Sequence, residues 1–288
     1  MLGRMELMRP ASVTEFLQYG TSFLSEHEAQ HGLMLGVAIA TRPSAPVYCA
    51  LVLANGNVVA AGLRTNTRLI VSREGRGGAM ALIAADAYHP GCDAVLGPIA
   101  AVDAFVAGSQ LPWSRGMTQG IYESRRVVGA PRAHGRFRQA QSNDRDLLAH
   151  WSRRLHAEAL SEEISLEGAI ARVDGHIDRG DMHVWEVEGR LVSVAAAVAP
   201  TPHGIRINNV YTPPEERGRG YASALVAALT QAVLDGGREF AFLHTDLANP
   251  TSNAIYKRLG YELVGDFQVY SLTATALIQG RQASPRRA

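Results

Sequence analysis

The chain has only two cysteines in 288 residues, Cys49 and Cys92, far apart and without the spacing of a metal or redox pair. That argues against a disulfide framework and points to free thiols in a reducing compartment. An excess of charge is also lacking: 28 basic against 27 acidic residues leave a net +1. So close a balance gives no support to nucleic-acid binding or to attraction by an anionic membrane. Long apolar runs are missing as well. The longest, such as 194–200, are too short to span a bilayer, and residues 1–12 carry Arg4, Glu6 and Arg9 with no apolar core of signal-peptide length. The expectation is a cytoplasmic protein with neither nucleic acid nor membrane as partner. What is present is ordinary globular material, 47% hydrophobic and 19% charged, with length enough for two domains that each bury a core.

Along the second half, apolar residues recur at helical spacing over 144–159 (Leu147, Leu148, Trp151, Leu155) and 164–177 (Leu166, Ile170, Val173, Ile177). Strand-like runs follow at 182–187 and 191–198, joined at Glu188-Gly189-Arg190 as a hairpin, and again at 205–212. A helix over 220–234 stops at Gly236-Gly237. Then come a strand at 240–246, a short helix at 252–259 and a strand at 261–272. The first half echoes this order. It has helices at 13–19 and 25–34, a hairpin of 47–53 and 58–63 around Asn55-Gly56, a helix at 77–88, a strand at 94–97, a helix at 100–107 and a closing strand at 116–126. The reading is an α/β chain, with two copies of one fold whose mixed sheets are mostly antiparallel and flanked by helices. The domains are 1–130 and 131–278, joined through a Gly/Pro-bearing connector at 127–135, with a loose polar tail at 279–288.

The segment richest in chemistry is Arg217-Gly218-Arg219-Gly220-Tyr221-Ala222, between the strand at 205–212 and the helix at 220–234. Two glycines leave the backbone uncovered, so successive N–H groups can approach a ligand closely. They open a helix whose positive dipole end favours anions, and two arginines add cationic charge. Strand, glycine turn and helix make a pyrophosphate site, the mark of a nucleotide-containing cofactor. As a bare pattern, most such turns are only turns.

The spacing R-x-x-G-x-A resembles the acetyl-CoA signature of the GCN5-related N-acetyltransferases, the GNAT superfamily. Downstream, Asn249-Pro250-Thr251-Ser252-Asn253-Ala254-Ile255-Tyr256-Lys257-Arg258-Leu259-Gly260-Tyr261 is similar to that family's closing motif. The resemblance runs from about Arg136 to Leu272 and implies a tandem GNAT-like protein with a degenerate first copy. It further implies acetyl transfer from acetyl-CoA to an amine by direct transfer. Backbone amides of Val210, Tyr211 and Thr212 would hold the pantetheine and thioester, and Arg217, Gly218, Arg219, Gly220, Tyr221 and Ala222 the pyrophosphate. Asn249 and Ser252 would lie along the pantetheine arm, and Tyr256 would be the acid that protonates the departing sulfur. For a general base the candidates are Asp246 and His244, with Glu186 another; some family members carry Glu on the central strand, where this chain has Asn208 and Asn209.

The alternative to catalysis is a non-catalytic acyl-CoA-binding module. In the first half, Arg73-Glu74-Gly75-Arg76-Gly77-Gly78 is glycine-rich, yet Arg76 stands where the first motif glycine would be, so no cofactor is expected there. His27-Glu28-Ala29-Gln30-His31 spells H-E-x-x-H, a zinc-protease pattern when helical, but its extended continuation fails at Met34 and Val37. No metal is expected. The acceptor class, a small-molecule or peptide amine, and a homodimeric state stay open.

Overall fold

The computed structural model describes residues 4–41, 48–87, 91–129, 133–160 and 163–273. The tail at 279–288, Val47 of the first hairpin, Tyr88 of the helix at 77–88 and Pro131 of the connector lie outside them. The first half runs β1 (Met5–Met8), α1 (Val13–Ser25), α2 (Gly32–Ala40), β2 (Tyr48–Ala54), β3 (Asn57–Arg64), β4 (Arg68–Val71), α3 (Ala79–Ala87), β5 (Ala94–Gly97), α4 (Ile99–Ser109) and β6 (Trp113–Ser124). The second repeats the order: β7 (Arg136–Gln139), α5 (Arg145–Leu155), α6 (Leu166–Arg179), β8 (Met182–Val187), β9 (Arg190–Val198), β10 (Gly204–Tyr211), α7 (Tyr221–Asp235), β11 (Phe240–Asp246), α8 (Pro250–Arg258) and β12 (Glu262–Leu272). The duplication read from the sequence is therefore complete, element for element.

Strand pairing repeats too. β1, β2, β3 and β4 pair antiparallel in series, and β4 runs parallel to β5. β7, β8, β9 and β10 pair antiparallel, and β10 runs parallel to β11. Both hairpins close as expected. Asn55 and Gly56 (φ 52° and 81°) and Glu188 and Gly189 (φ 51° and 77°) lie in the left-handed region that a two-residue turn matched to strand twist demands. Three strands escape notice in the sequence, β1, β4 and β7, each four residues long and too short for alternation to show.

The molecule divides into two compact units. The first takes the chain up to Ile121, His244–Asn249 and the segment from Leu263 on; the second takes Tyr122–Leu243 and Pro250–Glu262. Sequence order assigns the last strand to the second copy, yet β12 pairs antiparallel with β5 of the first, from Gln268↔Gly97 to Ser271↔Ala94. Its Gln268, fully buried, accepts from Arg115 Nε (3.0 Å) and Thr118 Oγ1 (2.6 Å) and donates to the Gly116 carbonyl (2.8 Å). Within the first unit a core gathers beneath α3 and α4 around Tyr48, Met80, Ile83 and Phe105.

In the second unit two cores sandwich the sheet. One lies under α7 (Leu225, Leu229, Ile207, Leu243), the other under α5 and α6 (Leu148, Trp151, Val173, Val194, Tyr211). Ser165 starts α6 by accepting the Gly168 N–H at 3.1 Å. Among the described residues no helix is long and apolar enough to cross a membrane.

Replacing Gln268 by Leu should remove the buried partner of Arg115, Thr118 and the Gly116 carbonyl, at a cost of about 0.5–1.5 kcal/mol per hydrogen bond lost. A urea melt that shows a lowered midpoint for Gln268→Leu bears this out; an unchanged midpoint would show that the side-chain network is dispensable.

Candidate functional site

The site in the second unit is built from β10, the loop after it, α7 and α8. The parallel ladder of β10 to β11 covers Gly204 to Arg206, and on its other side β10 stays paired with β9 up to Asn208↔Ala196. The register then shifts before Tyr211↔Val194, with Asn209 between at φ 52°. An extra residue in one strand breaks the ladder and re-aims the backbone. Asn tolerates the left-handed region better than most residues, which is why an Asn-Asn pair can sit at this place in a strand. Val210, Tyr211 and Thr212 follow immediately.

Side chains pin the bulge from the α5–α6 face. The His176 Nδ1–H donates to Asp181 Oδ1 at 2.6 Å, which leaves Nε2 to accept from Asn209 Nδ2 at 3.2 Å. Arg179 Nε donates to the other Asp181 oxygen at 2.8 Å. Further along, the Ser193 hydroxyl donates to the Tyr211 carbonyl at 3.1 Å and lies 2.8 Å from Thr212 Oγ1. The Tyr211 ring packs against Trp151, and its hydroxyl donates to Glu158 Oε1 at 3.0 Å. Glu158 sits on a π-helical turn, His156–Leu160, that ends α5, where the sequence predicts continuous helix to 159.

The loop follows a 3-10 turn, Pro214–Glu216. Gly218 and Gly220 stand at φ 78° and 81°, and a Cβ at either would meet nothing within 4 Å. Glycine is needed there for backbone conformation rather than for room. Gly220 caps α7 with no side-chain hydrogen bond to the first amides, so an α-helix of 15 residues presents its positive end to open space. The arginines are engaged beside it. Arg217 donates from Nε to the Thr212 carbonyl at 2.9 Å and from Nη2 to Glu158 Oε2 at 2.6 Å, and Arg219 donates to Glu216 at 2.9 Å. Arg217, ahead of Tyr211, holds the Glu158 carboxyl below its ordinary range. The local cationic excess is thus smaller than the sequence implies, and the backbone remains the main anion-binding element.

Tyr221 is buried in the α7 core and Ala222 is partly exposed. Tyr256, on α8 with Ser252, is 9% exposed and packs edge-on against Tyr261 at 5.9 Å. Burial pushes its phenol up to about 12, so the hydroxyl stays protonated at neutral pH. Tyr261 donates to or accepts from Thr230 at 2.6 Å and fixes that side of the pair.

His244, Asp246 and Asn249 belong to the first unit. His244 packs edge-on to Phe267 at 4.8 Å, and the Asp246 carboxylate accepts the Ala248 N–H at 2.8 Å. Asn249 donates its N–H to the Asp246 carbonyl at 3.0 Å. Glu186, the remaining base candidate, is locked by Arg138 and Arg136 through contacts of 2.6 and 2.8 Å. Arg138 and then Arg136 hold its carboxyl below the ordinary value, which makes it a poor proton acceptor.

The first copy handles its equivalent helix start differently. Glu74 Oε1 accepts the Met80 N–H at 2.8 Å, so an internal carboxylate sits where an anion would bind. The H-E-x-x-H segment is turn, not helix, between α1 and α2. His31 is buried, with Nδ1 2.8 Å from the Leu24 carbonyl and Nε2 accepting the Arg73 N–H at 3.0 Å. Both ring nitrogens are occupied by backbone, and the zinc-protease reading fails on that geometry. Among the described residues no cluster of three His, Cys, Asp or Glu could hold a metal.

Residues 145–261 match the sequence profile of the Acetyltransferase (GNAT) family. The search of curated proteins gives no match. Among solved structures, a GCN5-related N-acetyltransferase from Sphaerobacter thermophilus superposes with TM-score 0.61 at 13% identity, covering 92% of this chain and 94% of that one. An acetyltransferase from the GNAT family of Colwellia psychrerythraea superposes with TM-score 0.60 at 10% identity, covering 93% and 100%. A tandem GNAT protein from the clavulanic acid biosynthesis pathway gives TM-score 0.55 at 14% identity, covering 93% and 98%. At such identities the likeness is one of fold.

Because Arg138 and Arg136 lower the folded-state value of Glu186, its contribution to stability is present at neutral pH and is lost as acid takes the solution below about pH 4, through that lowered value. Chemical denaturation across pH 3 to 7 should therefore show a flatter acid limb for Glu186→Gln than for the parent chain, and superimposable limbs would contradict the assignment.

Proposed function

Because residues 145–261 match the profile of the GNAT acetyltransferase family, we propose that the protein is an N-acetyltransferase that moves an acetyl group from acetyl-CoA to an amine. The observation that carries this reading is the start of α7: two glycines at positive φ, space on their open side, and first amides that no side chain caps. Those features fit a diphosphate, whose charge the helix end favours. The bulge at Asn209 supports the same reading, since it takes Val210, Tyr211 and Thr212 out of regular ladder register on the strand that leads into the loop.

When bound, acetyl-CoA supplies an activated carbonyl carbon as a thioester. An uncharged amine nitrogen attacks that carbon, the carbon–sulfur bond breaks, and the acetylated amine and free thiol are the products. Tyr256 gives its phenolic proton to the departing sulfur; a buried hydroxyl that stays protonated at neutral pH suits that role. The proton lost by the amine passes to solvent water, and water in turn returns a proton to the Tyr256 phenolate, which closes the cycle. Backbone amides at the bulge offer donors to the oxyanion that develops on the carbonyl oxygen. Cys49 and Cys92 are buried thiols, consistent with a reducing cytoplasm as the working compartment.

An acetyl-CoA-dependent thiol-release screen over an amine library tests this, with calorimetry for binding. Gly220→Ala should weaken acetyl-CoA by about tenfold, because alanine resists the left-handed conformation by roughly 1–2 kcal/mol. Tyr256→Phe should lower kcat by about a hundredfold or more while the acetyl-CoA Kd changes little. Binding with no thiol release on any amine would make the protein an acyl-CoA-binding module; no binding at all would remove the transferase reading.

A further inference from the structure

Nearly every arginine near the candidate site has an acid. Arg136 and Arg138 share Glu186, Arg138 also forks onto Asp144, Arg179 binds Asp181, Arg217 binds Glu158 and Arg219 binds Glu216. Arg206 departs from this pattern. It lies in the middle of β10, in register with Val198 on β9 and Phe242 on β11, both hydrocarbon neighbours. Its flanking residues Ile205 and Ile207 pack into the core under α7. Strand alternation therefore turns Arg206 to the opposite face, the one covered by α5 and α6.

The side chain is mostly buried there, with its Nε sealed from solvent and without a hydrogen-bond partner. Among the described residues no acidic group offsets the charge: burial acts on the guanidinium and pulls it down to about 10. A buried cation without a counter-charge is unfavourable, and packing does not require one, since Met or Leu would fill a strand position between Val198 and Phe242. Its sealed stem and lack of an internal partner suit a guanidinium whose anion arrives with a ligand. The residue stands three positions before Asn209, on the strand that runs into the bulge.

We propose that Arg206 binds a carboxylate on the acceptor, so that the substrate class is an amine bearing a free carboxylate, an amino acid in the broad sense. This rests on the acetyltransferase reading and deepens it. A single uncompensated positive charge matches a monoanionic carboxylate better than a dianionic phosphate, which would call for a second free cation.

The test uses the full chain and matched acceptors: ω-amino acids of increasing length, each against its own carboxamide, assayed by thiol release with acetyl-CoA. The parent protein should prefer the acid of at least one pair by about tenfold or more in kcat/KM, as expected for a charge-assisted hydrogen bond. Arg206→Met should bring that ratio close to one, Arg206→Lys should keep part of it, and the calorimetric acetyl-CoA Kd should be the same in all three. Equal use of acid and amide by the parent protein, or a preference that survives in Arg206→Met, overturns the proposal.

If no pair turns over, the N-acetylated acids and N-acetylated carboxamides are titrated into CoA-loaded protein. Tighter binding of an acid that is lost in Arg206→Met supports the assignment. Equal or absent binding of both overturns it, while intact acetyl-CoA binding leaves the transferase reading in place. Should Arg206→Met melt early, Arg206→Gln serves in its stead.

Discussion

An α-helix leaves its first amides without partners, and each copy of this duplicated fold has to satisfy them at the helix that follows its fourth strand. In the first copy Glu74 does so from within, its carboxylate oxygen accepting the Met80 N–H. In the second, Gly220 is the cap and no side chain takes that role. The difference is one of charge supply: a helix end already neutralised has little left to offer an anion, and one left open retains its full attraction. The candidate site, and the proposal about its acceptor, depend on α7 being the open one.

Around that helix end the second unit is built to hold backbone rather than to display side chains. Tyr211, Glu158 and Arg217 form a chain of contacts that ties the π-turn after α5 to the end of β10. His176 and Asp181 brace Asn209, whose positive φ sets the bulge. Such strain persists only when surrounding contacts over-determine it, and here they come from two separate elements. Two of the arginines that look like phosphate ligands in the sequence are spent on this scaffold, whereas Arg206, which carries no motif, is left with its charge unanswered.

Much of the fold was legible because its signals are local. Asn55-Gly56 and Glu188-Gly189 can take positive φ in succession, so both hairpins could be placed from the residues themselves. The helix at α7 and the strands at β8 and β11 carry enough periodicity to be seen whole. The short strands β1, β4 and β7 do not, and the helix expected at 25–34 is turn over 26–31, where His31 is fastened to Leu24 and Arg73, and becomes helical only from Gly32. Of the site, the glycine loop and Tyr256 could be picked out by spacing. Glu158, His176 and Arg206 could not, since nothing in a linear sequence tells whether a charged residue will find its partner.

The sequence by itself determined the repeated order of elements, the hairpin turns and the glycine-led start of α7, because each of these follows from the conformational limits of a few adjacent residues. Tertiary structure decided that β12 pairs with β5, that Glu186 is locked between two arginines, that His31 has both nitrogens taken, and that Arg206 is mostly buried with no acid among the described residues to meet it. Those outcomes depend on which groups distant in the chain are brought within a few ångströms of one another, and on how much water is left between them.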